Sequence, residues 1–401
     1  MRVSRPLGAE VLSAELRRLE EADLYRRRRV AAWSPELRPT ELSVEGRRCI
    51  AFCSNDYLGL ARDPRVGEAM GRAAAAWGGG SGSAHLVAGH TTEHHALEEE
   101  LADFTGFPRA LLFSTGYMAN LGLLTSLAGR GDLLVEDRLN HASLLDASRL
   151  SGARVRRYAH ANAAAAARRL DDPSCRGRRL IATDGVFSMD GDEAPLASLA
   201  RLAMERGAAL LIDDAHGLGV TGEGGGSIAG AGLEPAQVTA LVGTLGKAFG
   251  TFGAFVAADR EVIETLVQRA RSYIYTTAPP PAVAAATRVA LRIARNEAWR
   301  RARLAALVHR FRSGAEALGL RLAPSRTPIQ PVIAGAARTA LDAAAQLYEQ
   351  GLWVTAIRPP TVPAGTARLR VTFSAAHDDA DVDRLLEALA QCRALQQRCP
   401  A

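Results

Sequence analysis

Seven short segments that are predicted to be strands, most of them separated by helical segments, constrain the fold of this chain more than any other feature. Strands that alternate with helices are typical of a mainly parallel sheet that is covered by helices. The predicted strands are residues 110–113, 133–135, 154–158, 180–183, 210–212, 238–242 and 254–257. We therefore predict an α/β fold whose large domain contains a mainly parallel seven-stranded sheet.

One lysine, Lys247, lies in a glycine-containing loop directly after the predicted strand 238–242. Glycines let the backbone lie close to a ligand, and such a lysine suits either phosphate binding or a Schiff base with an aldehyde cofactor. A Walker phosphate loop requires glycine where this chain has Leu241 and a hydroxyl residue where it has Ala248. The covalent role is favoured, and a surface lysine is the alternative.

The predicted strand 210–212 ends in Asp213 and Asp214, followed closely by His216. About one strand–helix–strand unit separates Asp213 from Lys247, and parallel strands present such residues at the carboxyl edge of a sheet, where ligands bind. Pyridoxal phosphate (PLP) requires this pair, because an amine binds its aldehyde and an acid keeps its ring nitrogen protonated. An ordinary salt bridge, which would also relieve adjacent buried acids, is the alternative.

Three more polar loops, residues 114–120, 141–143 and 185–192, follow predicted strands on the same side of the sheet. Gly116 lies at a strand-to-helix turn, where free backbone N–H groups can hold a phosphate. Several polar loops at one sheet edge favour a functional site there over a set of unrelated turns.

The composition is that of an ordinary globular protein, with 48% apolar and 23% charged residues and a formal net charge of +6. The positive charge suits anionic ligands without requiring nucleic acid. Five scattered cysteines without CxxC spacing indicate a reducing compartment and neither a disulfide framework nor a zinc site. Since no signal peptide or membrane-length apolar run is visible, we expect a cytoplasmic protein.

The domain prediction divides the chain into an N-terminal helix and short strand (1–54), a large PLP-binding domain (55–285) and a small α+β domain (286–401). The first helix is predicted over 7–29, with the run Arg26 to Arg29 as its basic last turn. An arginine-rich helical segment is predicted up to residue 318. The small domain is predicted to contain strands 331–334, 352–357 and 369–373.

His90-Thr91-Thr92-Glu93-His94 matches the HxxEH pattern of one class of zinc peptidases. A pattern with three fixed positions matches by chance fairly often in a chain with nine histidines. The motif also precedes a helix predicted over 95–104, where Thr92 and Glu93 suit capping positions. No metal ligand is therefore assigned, and a zinc peptidase and a basic nucleic-acid binder remain as alternatives from other functional classes.

The polar motifs resemble, in chain order, those of the α-oxoamine synthases, which are PLP enzymes of aminotransferase fold type I. The matching stretches are residues 54–60, 114–117, 185–192, 213–217 and 244–250. The resemblance implies a fold type I large domain, a small C-terminal domain, and transfer of an acyl group to an amino acid with PLP as cofactor. Two departures are His85, where many relatives have arginine, and Asp184, where several have glutamate.

The resemblance also implies the roles of the cofactor-binding residues. Lys247 would bind the PLP aldehyde and move the α-proton, Asp213 would pair with the ring nitrogen, and His141 would stack on the ring. His216 would bind the ring hydroxyl. The remaining contacts to the ring hydroxyl and the phosphate would come from Gly116, Tyr117, Ser188, Thr244 and, lent by a second subunit of a homodimer, Thr277.

For the substrates, the resemblance implies that Asn55 and Arg358, beside His141, hold the amino acid carboxylate. Arg26 would bind a distant carboxylate of the acyl chain, and Thr361 would line the acyl path. Residues 354–370 are most similar to the family members that join L-alanine to a pimeloyl thioester in biotin biosynthesis. Members that use glycine are the alternative, and the sequence leaves open whether coenzyme A or a carrier protein bears the pimeloyl group.

Overall fold

A computed structural model describes residues 8–396 of the chain. Leu7, the predicted start of the first helix, and Cys399 lie outside the described residues. The strands are β1 (Ala31–Ala32), β2 (Glu41–Val44), β3 (Arg47–Ala51), β4 (Arg109–Phe113), β5 (Leu133–Asp137), β6 (Arg154–Tyr158), β7 (Arg179–Asp184), β8 (Ala209–Asp213), β9 (Ala240–Thr244), β10 (Ala254–Ala258), β11 (Ile329–Gly335), β12 (Leu352–Trp353), β13 (Thr355–Ile357) and β14 (Ala367–Thr372). The α-helices are α1 (Ala9–Glu21), α2 (Pro64–Trp77), α3 (Thr92–Thr105), α4 (Gly116–Leu127), α5 (Ala142–Ser151), α6 (Ala163–Leu170), α7 (Leu196–Glu205), α8 (Gly226–Gly230), α9 (Arg260–Arg269), α10 (Arg271–Ile274), α11 (Pro281–Asn296), α12 (Trp299–Ala317), α13 (Ala337–Glu349), α14 (Asp379–Ala390) and α15 (Arg393–Gln396).

Seven strands form the central sheet in the order β4-β10-β9-β8-β7-β5-β6. Neighbouring strands are parallel except at β10, which is antiparallel to both β4 and β9. The predicted α/β fold with a mainly parallel seven-stranded sheet is therefore confirmed.

Alternate side chains of the central strands other than β6, an edge strand whose side chains are largely exposed, enter separate hydrophobic cores on the two faces of the sheet. In β8, Leu210 and Ile212 belong to one core and Leu211 to the other, as the two-residue period of a strand requires. Because both faces are covered, these strands are continuously apolar instead of alternating with polar residues.

The carboxyl ends of β7, β8 and β9 lie side by side. The register pairs Asp184 with Asp213, and Asp213 with Val242, two residues before the end of β9. The loops that follow these three strands consequently leave the sheet at the same edge.

Two smaller sheets, β1-β2-β3-β12 and β11-β14-β13, complete the fold. The single strand predicted over 352–357 is wrong, because the chain passes from one sheet to the other at the buried Val354. On one side, β12 is parallel to β3, and on the other, β13 is antiparallel to β14. The N-terminal segment is thus paired with the C-terminal region, and the domain boundaries at 54 and 285 stay a prediction.

The first helix ends earlier than predicted. Asp23 adopts a left-handed conformation with φ of 58°, and Leu24 N donates to Leu19 O over 2.7 Å while Asp23 N donates to Glu20 O over 3.1 Å. These two bonds form a Schellman motif, which terminates a helix. The predicted basic last turn is therefore wrong, and the run from Arg26 to Arg29 lies outside α1.

The arginine-rich segment predicted to reach residue 318 consists of two helices, α11 and α12, which are separated at Glu297 and Ala298. Within the described part of the chain, no helix combines the length and the apolarity that a bilayer crossing requires.

Candidate active site

A tight loop after β9 carries Lys247 to the edge of the central sheet. Leu245 N donates to Gly253 O, and Gly250 N donates to Lys247 O, each over 2.9 Å. Gly250 has φ of +66°, and a Cβ at this position would lie only 2.3 Å from Ala61 N. The loop therefore needs glycine at position 250, and it fixes the backbone from which Lys247 extends.

A chain of hydrogen bonds joins Lys247 to Arg370. Lys247 Nζ lies 2.9 Å from His216 Nε2, and because an ammonium only donates, the proton of His216 belongs on Nδ1. That Nδ1–H donates to Tyr57 Oη over 2.7 Å. The Tyr57 hydroxyl donates to Asn55 Oδ1 over 3.2 Å, and Asn55 Oδ1 also accepts from Arg370 Nη1 over 3.1 Å. Donation runs from Lys247 to Asn55 Oδ1, which accepts a second hydrogen bond from Arg370 at the opposite end of the chain.

The electrostatics of this region favour a reactive lysine. Burial lowers the pKa of Lys247 to about 8, although the negative charges of Asp213 and Asp184 act in the opposite direction. Burial, together with the charge of Lys247, lowers the pKa of His216 well below its ordinary value, which keeps the imidazole neutral. A lysine with such a pKa has a substantial neutral, nucleophilic fraction near neutral pH.

The two adjacent acids at the end of β8 have different partners. Asp213 Oδ2 accepts from Asn120 Nδ2 over 2.6 Å, and its Oδ1 accepts from Ala215 N over 3.0 Å. Asp214 is fully buried and accepts from Ser227 N over 2.7 Å, and burial raises its pKa to about 7. Asp214 therefore stabilises the loop, and the charges of Asp213 and, to a smaller extent, Asp214 raise the pKa of Lys247.

His141 is the N-cap residue of α5, and its ring is exposed. Its Nδ1 lies 2.7 Å from Ser143 Oγ, which accepts from Asn120 Nδ2 over 2.8 Å. Asn120 thereby connects His141 and Asp213 in one network. His141 N donates to Asp184 Oδ2 over 2.6 Å, and burial, with the charge of Asp213, raises the pKa of Asp184 well above its ordinary value.

The start of α4 offers backbone donors. Thr115 is the N-cap residue, and its hydroxyl accepts from Met118 N over 3.2 Å. Among the described residues, none accepts a hydrogen bond from Gly116 N or Tyr117 N, so both remain for an anion at this helix terminus. The Tyr117 side chain is exposed, and its hydroxyl donates to Asp146.

The other predicted cofactor contacts lie at the ends of strands or on the surface. The Ser188 carbonyl accepts from Arg370 Nε over 2.6 Å, and Thr244 Oγ1 donates to Gly253 O over 3.2 Å. Thr277 is exposed on a segment that pairs with Ala84. Its side chain is therefore accessible to a second chain.

The prediction that Asn55 and Arg358 together hold the amino acid carboxylate stays a prediction. Asn55 contacts Arg370, and no hydrogen bond between described residues joins it to Arg358, which donates to the Tyr25 carbonyl. Arg370 lies on β14, whereas Arg358 follows β13 and lies in the Pro-rich loop. Arg370, to which the sequence analysis assigned no role, is therefore a further candidate for the amino acid carboxylate.

Arg358 lies near the two residues predicted for the acyl chain. Arg26 Nη2 donates to Thr361 Oγ1 over 3.4 Å. Burial, followed by the positive charge of Arg26, lowers the pKa of Arg358, so the two guanidinium groups act on each other. Arg358 Nε is buried and has no hydrogen-bond partner within the described chain.

The sequence analysis assigned no role to three residues of the site, Tyr57, Asn120 and Arg370, although Tyr57 and Arg370 carried a usable signal. Tyr57 lies inside the motif 54–60, and Arg368 and Arg370 alternate on a fully buried strand, where charges are costly without partners. Asn120 lies one turn into α4, and a single buried amide offers no comparable signal.

These donor groups fit PLP. Lys247 supplies an amine with a lowered pKa, and the Asp213 carboxylate, fixed by two donors, suits a protonated ring nitrogen. The exposed imidazole of His141 can stack on a planar ring. The start of α4 provides N–H groups for a phosphate.

Comparison with known proteins gives a consistent result. The family model for aminotransferase class I and II matches residues 47–389. The 8-amino-7-oxononanoate synthase of Alkalilimnicola ehrlichii is 62% identical over 351 residues, which cover 87% of this chain and 90% of that protein. The protein of the same name from Pseudomonas putida is 57% identical over 382 residues, covering 95% of this chain and 97% of that protein.

Solved structures are similar over the same range. A serine palmitoyltransferase from S. paucimobilis with a bound PLP–myriocin aldimine has a TM-score of 0.92 at 32% identity, covering 98% of this chain and 100% of that one. An 8-amino-7-oxononanoate synthase from Francisella tularensis has a TM-score of 0.75 at 32% identity, covering 86% of this chain and 97% of that one.

Proposed function

The chain belongs to the aminotransferase class I and II family, and from this premise we propose that it catalyses the decarboxylative condensation of L-alanine with a pimeloyl thioester. The products are 8-amino-7-oxononanoate, CO₂ and a free thiol, as in biotin biosynthesis. The observation that carries the proposal is the 57–62% identity with relatives of that name over most of the chain. The predictions of a PLP-dependent acyltransferase and of PLP as cofactor are confirmed.

When bound, PLP supplies an electron sink for the bond that breaks at the α-carbon of the amino acid. We assign its aldehyde to Lys247, its ring nitrogen to Asp213 and its ring hydroxyl to His216. His141 would stack on the ring. Its phosphate and the remaining ring contacts are assigned to Gly116, Tyr117, Ser188 and Thr244, with Thr277 from a second subunit.

Within the chain, Lys247 and His216 control one proton. The contact of 2.9 Å from Nζ to Nε2 orients the amine, and the lowered pKa of Lys247 allows its Nζ to accept and return a proton near neutral pH. Lys247 is therefore proposed to move the α-proton. The neutral His216 donates a hydrogen bond from its Nδ1–H to Tyr57 Oη, and this bond fixes the orientation of the imidazole towards the amine.

An enzyme of this type acts on an amino acid and a thioester, and the two substrates need separate cation sites. We assign the amino acid carboxylate to Asn55 and Arg370, close to Lys247. Arg370 uses Nε and Nη1 within the chain, and its fork geometry suits a carboxylate. We assign the distant carboxylate of the pimeloyl chain to Arg26, with Arg358 beside it, and the acyl path to Thr361.

A homodimer with shared sites is part of the proposal, because Thr277 is exposed in a single chain and is open to a partner. A cytoplasmic location stays a prediction.

The test is a product assay with purified holoenzyme, in which L-alanine or glycine is combined with pimeloyl, acetyl or succinyl thioesters. We expect 8-amino-7-oxononanoate from alanine and the pimeloyl thioester, on coenzyme A or on a carrier protein. Lys247→Ala provides the inactive control. Faster turnover of glycine with a short acyl group would contradict the proposal.

A further inference from the structure

The start of α3 contains histidines that the proposed reaction does not use. Thr91 is the N-cap residue of α3, and Thr91 N donates to His94 Nδ1 over 3.1 Å. Since Nδ1 accepts, His94 Nε2 carries the proton, and it donates to Pro279 O over 2.7 Å. Glu93 is paired with Arg288 at 2.8 Å. The HxxEH pattern therefore does not form a metal site, because His94 and Glu93 are committed elsewhere.

The start of α3 also brings together a different set of side chains that can act as metal ligands. With Thr91 as the N-cap, His90 and His95 occupy the two positions whose side chains normally pack together as a hydrophobic staple. Their ring centroids lie 5.8 Å apart. Glu98 follows His95 by three residues and therefore lies on the same face of the helix. One ligand atom from each of His90, His95 and Glu98 lies within 4.8 Å of the other two.

Glu98 is buried without a strong cationic partner. Its Oε1 accepts from Leu112 N over 2.9 Å, while its Oε2 lies 4.0 Å from His90 Nε2. Burial raises the pKa of Glu98 to about 7. A carboxylate and an imidazole nitrogen that face each other at this distance leave room for a cation between them.

A neighbouring histidine orients His90 for this purpose. His85 Nδ1 lies 3.1 Å from His90 Nδ1, and burial lowers the pKa of His85 to about 3, which keeps it neutral. A proton on His90 Nδ1 can be donated to His85, which leaves the lone pair of Nε2 directed towards Glu98. Metal-binding histidines are commonly fixed through their second nitrogen in this way.

We propose that His90, His95 and Glu98 bind a divalent cation of the zinc type. Two imidazoles and one carboxylate are a usual zinc ligand set, and three protein ligands leave a fourth position for water. Ligand atoms around tetrahedral zinc lie about 3.4 Å apart, so the three side chains must close in slightly. The exposed His95 can do so by leaving Glu99, its partner at 3.4 Å.

The bound cation would act on the segment in front of α3. That segment, the π-helical turn His85–Gly89, follows Ala84, which pairs with Thr277. A metal that joins His90 to α3 would stabilise this turn.

The first test is equilibrium dialysis of metal-free holoenzyme against Zn²⁺. We expect one zinc per chain in the wild type and at least about tenfold weaker binding in His95→Ala, which loses one of three ligands. His95 is exposed, so this variant should fold normally. His309→Ala, which removes an exposed histidine from α12, is the matched control and should bind zinc as the wild type does.

Glu98→Gln is the second variant, because its amide oxygen can still accept from Leu112 N while the charge is lost. Weaker zinc binding in this variant as well is expected. X-ray absorption at the zinc edge should show only nitrogen and oxygen neighbours at about 2.0–2.1 Å. Equal affinity in the wild type and His95→Ala, a sulfur neighbour, or no stoichiometric zinc in the wild type would each overturn the proposal.

Discussion

At the scale of the residue, the protonation of Lys247 is the property on which the site depends. Its pKa of about 8 results from burial that outweighs the attraction of nearby carboxylates. The neutral fraction of the amine rises with pH, so the apoenzyme should capture PLP faster as pH increases, with a midpoint near that pKa. Stopped-flow absorbance between pH 6 and 9 measures this rate.

The structure also predicts in which direction the midpoint of this pH dependence moves in Asp213→Asn. Loss of the Asp213 charge removes an interaction that raises the pKa of Lys247, so the midpoint should move to lower pH. A midpoint near the ordinary lysine value in the wild type would contradict the description of this amine.

The proposed roles of Arg370 and Arg358 can be distinguished by separating the half-reactions. Arg370→Lys loses the fork that contacts Asn55 and Ser188, so exchange of the alanine α-proton in D₂O should slow by about tenfold or more, the equivalent of 1.4 kcal/mol. Arg358→Ala and Arg26→Ala should exchange normally but lose kcat/KM for the pimeloyl thioester. NMR measures the exchange, and a coupled thiol assay measures the acyl transfer. Slow exchange in Arg358→Ala would support the prediction from the sequence that Arg358 holds the amino acid carboxylate.

At the scale of the element, the loop after β9 provides the clearest stability test. Gly250→Ala places a Cβ 2.3 Å from Ala61 N at a positive φ, so we expect a loss of about 1–3 kcal/mol in the free energy of unfolding. Gly246→Ala is the matched control in the same loop, because its Cβ would come no closer than 3.4 Å to Thr251 O. Thermal denaturation of both holoenzymes should show a lower Tm for Gly250→Ala only.

The elements that could be predicted from the sequence are those whose faces are all in the same environment. The central strands other than β6 are covered on both faces, so a continuous apolar run is sufficient to identify them. The division between β12 and β13 depends on which sheet each residue pairs with, and no local pattern contains that information. The end of α1 was missed because Asp23 closes it in a left-handed conformation, while the arginines beyond it suggested a helical last turn.

At the scale of the whole molecule, the candidate site was predictable where its residues follow strands of one sheet. Asp213, His216, His141 and Lys247 leave the sheet at a common edge, and the sequence order of strands and loops indicated this. The contact between Asn55 and Arg370 joins positions 315 residues apart, and only the folded chain reveals it.

The proposed dimer predicts complementation between two inactive variants. If Thr277 serves the site of the partner, mixing Lys247→Ala with Thr277→Ala creates mixed dimers in which one site has both residues intact. Activity should appear as subunits exchange, and light scattering should report a dimer throughout. A mixture that never exceeds the activity of Thr277→Ala alone would show that each chain supplies its own threonine.

The parallel pairing of β3 with β12 also has a consequence for protein synthesis. The ribosome completes β3 early, but its outer neighbour emerges only about 300 residues later, which takes roughly 15–60 s at about 5–20 residues per second. During that interval one edge of β3 has no strand to pair with, and such edges attract other unfolded chains. Arg47 and Arg48, exposed at the start of β3, place positive charge on this strand while the nascent chain waits for its partner.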